Sequence, residues 1–91
     1  MMKAIWKYRL NEPGRISKIL VPPGAVFRHL DMQSGKFCMW AEVILHCQAD
    51  EERKFILLGT GAPFRNNHKY CATVQEDDGH VWHLFEVMAD D

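Results

Sequence analysis

The sequence has no apolar run near the roughly 20 residues that a membrane-spanning helix requires; stretches such as Val43 to Leu45 and Ile56 to Leu58 are far shorter. Its opening, Met1 to Tyr8, lacks the unbroken apolar segment and small-residue cleavage site of a secretory signal, so a cytoplasmic location is expected. Cysteine is sparse and odd in number: Cys38, Cys47 and Cys71 show no paired spacing, which argues against a disulfide framework and fits thiols packed as small hydrophobes. Net charge is only -1, so the molecule as a whole has no field that would draw it to nucleic acid or anionic lipid. Linkers, repeats, low-complexity tracts and sustained 3.6-residue apolar periodicity are also missing, the last of which excludes a helical bundle.

What is present is the composition of a folded domain, 47% hydrophobic and 25% charged over 91 residues, which predicts a single domain, 1–91, with one core. Charge is uneven along the chain. Residues 1–47 hold seven basic and three acidic side chains, +4, while residues 48–91 hold four and nine, -5.

The apolar pattern has a period of two. Trp6, Tyr8 and Leu10 alternate with Lys7 and Arg9. Asn11 to Gly14 reads as a turn, and Arg15 to Val21 as a second strand with Ile19 and Val21 on one face. Pro22-Pro23-Gly24-Ala25 stops it, because consecutive prolines remove ladder donors. Ala25 to Met32 is expected to alternate with Val26, Arg28, Leu30 and Met32 on one side, and Gln33 to Lys36 to form a hairpin loop. Phe37 to Cys47 is apolar on both faces, the pattern of a central strand. After the polar loop Gln48 to Glu52 come a short strand, Arg53 to Leu58, the bend Gly59-Thr60-Gly61-Ala62-Pro63 and an irregular excursion at Phe64 to His68. Tyr70 to Gln75 and His80 to Met88 are joined by Glu76-Asp77-Asp78-Gly79, a hairpin signal, and an acidic tail at residues 89–91 is expected to fray. The pattern predicts a mainly β fold: a small antiparallel sandwich or open barrel of six to seven strands with at most one short helix.

Chemistry-bearing constellations are weak. His46, Cys47, His68 and Cys71 offer zinc-type ligands without a C-x-x-C pair, and residues three apart on a strand, such as His68 and Cys71 or His80 and His83, face opposite ways. No cysteine has a basic cluster or helix N-terminus to activate it. No catalytic residue, metal or cofactor is therefore assigned. Gly59-Thr60-Gly61 could offer backbone N–H groups to an anion, with Arg65 and Lys69 just downstream, but it lacks the rest of a phosphate-binding fingerprint and reads more simply as a sharp bend. Aromatics are the stronger signal. Trp6, Tyr8, Trp40 and Trp82 lie on strands whose two faces cannot both be internal, so some large apolar side chains belong to an exposed contact surface. The partner-binding candidates are Trp6, Tyr8, Trp40, Gly59, Thr60, Gly61, Arg65, Lys69, Trp82 and His83. The closing strand, Val81 to Val87, is largely apolar on both faces and is expected to be interior; for His83 on it, with Val81, Phe85 and Val87 on its face, a buried hydrogen-bonded role stands beside a contact role.

The order of motifs, Ile5-Trp6-Lys7-Tyr8, Pro22-Pro23-Gly24-Ala25, Trp40-Ala41-Glu42-Val43, Glu52-Arg53 with Phe55, Gly59-Thr60-Gly61-Ala62-Pro63 and Trp82-His83-Leu84-Phe85-Glu86, resembles a family of short uncharacterised proteins of tailed bacteriophages and prophages. The resemblance covers nearly the whole chain. It implies a non-catalytic accessory protein in a bacterial host cytoplasm that binds and inhibits or modulates a host protein complex, with anti-CRISPR action as its sharpest form. An alternative from another class is an oligomeric sponge for a small anionic ligand such as a nucleotide second messenger, built on Gly59-Thr60-Gly61, Arg65 and Lys69. A homodimer suits either reading. Direct nucleic-acid binding ranks below both, because a basic row of Lys7, Arg9, Lys18 and Arg28 without a recognition helix would contact only phosphates.

Overall fold

A computed structural model describes residues 1–89; Asp90 and Asp91, the end of the expected frayed tail, lie outside the described residues. Seven strands follow one another: β1 (Lys3–Arg9), β2 (Ser17–Val21), β3 (Val26–Gln33), β4 (Lys36–Ile44), β5 (Glu51–Gly59), β6 (His68–Gln75) and β7 (Val81–Val87). They make two antiparallel sheets, ordered β1-β4-β3 and β2-β5-β7-β6, which are not closed into a barrel. The protein is all-β, a small sandwich with no helix among the described residues. The central strands expected from two-faced apolar patterns, β4 and the closing β7, are interior in their sheets.

Local chemistry sets the turns. Ser34 and Gly35 both take positive φ, 51° and 75°, between the paired Gln33 and Lys36, the signature of a two-residue type I′ hairpin whose twist suits flanking strands. At the proline corner Gly24 has φ 82° and the Ala25 N–H donates to Pro22 O.

Inner faces interdigitate around Leu10, Ile19, Val21, Leu30, Met39, Val43, Phe55, Leu57, Val74 and Leu84. Each fully buried side chain of this size contributes about 1.5–3 kcal/mol. Three expectations are corrected. The alternation expected in β3 fails in its first half: a bulge between Phe27 and His29 inserts Arg28 as an unpaired residue and flips the parity. Phe27 therefore packs on the core with Leu30 and Met32, while Val26 and Arg28 are exposed. Strand β4 ends at Ile44, not Cys47, where the chain turns through His46 at φ 68°. Strand β5 begins at Glu51, inside the expected loop, because Glu51 and Glu52 pair with Val21 and Leu20.

One ion pair sits on the inner side. Arg53 donates from Nε and Nη2 to both carboxylate oxygens of Glu86 at 2.7 Å each, and from Nη1 to the carbonyl of Ala25 at the corner leading into β3. The Glu86 carboxylate, first among the causes, holds the guanidinium even more firmly protonated. Removing one partner strands a desolvated charge, whereas removing both does not. We expect Glu86→Leu to cost about 3 kcal/mol and the double variant Arg53→Met/Glu86→Leu to recover most of it. Urea denaturation checks this: a double variant no more stable than the single would show that the Ala25 contact, not the pair, is what matters.

Candidate functional site

The two outer faces differ. On the three-stranded sheet the outer face is mixed: its charges pair with one another, and the exposed Ile5 and Val26 stand on either side of Glu42. Glu42 meets Arg28 at 2.9 Å and Lys3 at 3.3 Å, and these two cations, Arg28 first, hold its carboxyl below the usual range. Lys7 Nζ donates to Gln33, and the His29 ring lies 5.7 Å from that of Trp40.

The outer face of the four-stranded sheet is apolar. Cross-strand register places Ile56, Phe85 and Tyr70 in one row, with Leu58, His83 and Thr73 in the next. Phe85 is buried although it faces outward, because the loop after β5 lays Phe64 over it, ring centroids 4.3 Å apart. Tyr70 meets Phe85 edge-on at 6.0 Å. Beside these rings lies a cavity of about 330 Å³ lined by Gly59, Thr60, Gly61, Ala62, Phe64, Tyr70, His83 and Phe85. One polar chain borders it. His83 Nε2 is 2.8 Å from Thr60 Oγ1, His83 Nδ1 is 2.9 Å from Thr73 Oγ1, and that hydroxyl is 2.7 Å from the Tyr70 hydroxyl. His83 is half-buried and engaged through both ring nitrogens, so its orientation is fixed by Thr60 and Thr73.

Of the candidates read from the sequence, Gly59, Thr60, Gly61 and His83 meet at this cavity. Arg65 follows Phe64 and is exposed, and Lys69 is in register with Glu86; neither lines the cavity. Trp82 lies on the other side of β7 against the core, donating to Glu76 Oε1 at 2.6 Å. Its ring lies beside Gly59, where an added Cβ would be in ordinary contact with Trp82 Cζ3 at 3.4 Å, while Gly61 takes φ 88° in the bend. Trp6, Tyr8 and Trp40 belong to the other sheet. Tyr8 packs on the core, where burial raises its phenol pKa. Phe64, Tyr70 and Thr73 were missed. Their placement depends on a bulge between Tyr70 and Ala72 and on a loop folding back over the sheet, neither of which alternation reveals.

Among the described residues His46, Cys47, His68 and Cys71 form no cluster of ligand atoms; Glu76, Asp78 and His80 bring three within 4.8 Å of one another. Burial, the leading cause, raises the Cys71 thiol, which keeps it protonated near neutrality.

The chain belongs to the family described as Domain of unknown function (DUF7352), whose model matches residues 1–91. No curated protein and no solved structure matches it. Among the described residues no helix is long and apolar enough to cross a membrane.

The β6–β7 hairpin generates a pH test. Asp78 accepts from the His80 backbone N–H at 3.0 Å and meets His80 Nδ1 at 2.8 Å. These contacts lower the Asp78 carboxyl, the backbone bond first, and the side-chain bond to Asp78 raises His80. A lowered acid stabilises above its unfolded pKa and loses that contribution as pH falls through the folded one. A raised histidine stabilises below its unfolded pKa and loses the contribution as pH rises through the folded one. Both contributions are present together between about pH 4 and 6.5. In an NMR titration His80 should titrate above its ordinary midpoint and return to it in Asp78→Asn; an unchanged midpoint would contradict the pairing.

Proposed function

We propose that this protein carries out no chemistry itself and works by binding a partner protein through the outer face of its four-stranded sheet. The observation that carries the proposal is the exposure of large apolar side chains there: Leu20 and Tyr70 are each 57% exposed and Phe64 54%. Phe64 and Tyr70 flank Phe85 beside the cavity, with Leu20 exposed on the edge strand of the same face, and exposed aromatic surface of this kind marks interaction sites. The other sheet's outer face also exposes Ile5 (56%) and Val26 (41%), but there they flank the ion-paired Glu42 in one row. In its narrower form the partner is a bacterial host complex in the cytoplasm and the chain a phage-encoded inhibitor, anti-CRISPR in the sharpest version; the phage-like order of motifs supports that form.

The test compares capture of bacterial proteins by the immobilised wild type and by Leu20→Ser/Tyr70→Ser. Exposed substitutions usually change stability by no more than about 0.5 kcal/mol each, so the melting temperature should hold. A protein captured by the wild type and lost by this variant is the expected result. Retention by this variant together with loss by Ile5→Ser/Trp40→Ser, on the other sheet, would overturn the proposal.

A further inference from the structure

The same face carries an electrostatic feature that folding does not explain. Lys18 on β2 stands directly opposite Lys54 on β5, one row from the Ile56, Phe85 and Tyr70 row and on the same side of the sheet. Like charges in direct cross-strand register destabilise a sheet. Among the described residues neither lysine has a carboxylate within ion-pair distance, although other exposed cations, Lys3, Arg15 and Arg28, have found one. The loop that lays Phe64 over the sheet adds the exposed Arg65 at its edge, and Glu52 is the one carboxylate on the strand rows of this face.

Next to this positive edge the cavity is small and aromatic. At about 330 Å³ it lies near the bottom of the range of about 300–1,000 Å³ for ligand pockets, room for one anchoring side chain. Its walls are the rings of Phe64, Tyr70 and Phe85, which favour an inserted ring edge-on or offset. The Thr60 and Thr73 hydroxyls bond to the His83 ring and the Tyr70 hydroxyl to Thr73, so the occupant need supply no charge of its own inside.

Resting on the binding face proposed above, we infer that its occupant is an acidic protein segment with an aromatic anchor: the ring enters the cavity at Phe64, Tyr70 and His83, and flanking carboxylates meet Lys18 and Lys54. The Lys18–Lys54 repulsion, a cost in the free protein, becomes attraction in the complex, and association should weaken with salt.

The probes are the blocked peptides Glu-Glu-Trp-Glu-Glu, Glu-Glu-Ala-Glu-Glu and Lys-Lys-Trp-Lys-Lys and an oligothymidylate, titrated against the 15N-labelled protein. The acidic tryptophan peptide should move the amides of Thr60, Phe64, Tyr70 and His83. Replacing its Trp with Ala, or using Lys18→Glu/Lys54→Glu protein, should each weaken binding by about tenfold or more. Equal binding of the basic peptide overturns the inference. So does the oligothymidylate moving the same amides as tightly, which makes the occupant a nucleic acid. The same amides moving on dilution of the protein alone would make it a second copy, with the same consequence. If no peptide binds while Leu20→Ser/Tyr70→Ser still loses its captured protein, the acidic occupant is wrong and the face stands; if that variant keeps its captured protein, the face itself is wrong.

Discussion

The bidentate pair between Arg53 and Glu86 ties three parts of the chain that are far apart in sequence. Both residues belong to the four-stranded sheet, and the remaining guanidinium nitrogen reaches the Ala25 carbonyl where the chain crosses toward the other sheet. A half-buried arginine with all three directions satisfied is tolerable; with any one lost it is a desolvated charge. Its position fixes the parity of β5 and β7, since Arg53, Phe55 and Leu57 point inward with Glu86 and Leu84. Ile56, Leu58, His83 and Phe85 are then turned outward. The apolar outer face follows from that parity. A slip of one residue would bury His83 and Lys54 and expose Phe55 and Leu57.

Given the parity, the loop after β5 supplies the rest. Trp82 beneath Gly59 and the positive φ of Gly61 bend the chain over the sheet, so that Phe64 caps Phe85 and leaves a recess beside it. In Gly59-Thr60-Gly61 the positive φ of Gly61 is the structural reason for a glycine, and Thr60 sets its hydroxyl on His83 beside the aromatic walls. Both outer faces are solvent-facing. The proposed binding face is the one whose exposed side chains include the rings of Phe64 and Tyr70 beside the recess.

The sequence made strand existence legible because alternation, Pro and Gly report on the chain locally. Seven segments, the central character of Phe37 to Ile44 and of Val81 to Val87, and the company of His83 with Phe85 all followed from period two. The two bulges did not follow. Arg28 and Cys71 each add one residue to a strand and reverse every later assignment on it, so Val26 was placed inward and Tyr70 could not be set beside Phe85. Nor could the site be assembled. Thr60, Thr73 and His83 are joined by cross-strand register, a nonlocal property, and Phe64 stands in a loop whose path depends on the sheet beneath it. Charge behaved in between: the basic excess of the first half persists mainly on β1 and β2, while the acidic excess collects in the β6–β7 turn at Glu76, Asp77 and Asp78.

Hydroxyl-radical footprinting of the free protein and of its complex with a captured partner tests the binding face most directly, because it reads side chains and not strand hydrogen bonds. Leu20, Phe64 and Tyr70 should be oxidised in the free protein and protected in the complex, while Ile5, Trp6 and Trp40 keep their reactivity. Protection of Ile5, Trp6 and Trp40 with unchanged labelling of Phe64 and Tyr70 would place the partner on the other sheet and contradict the assignment.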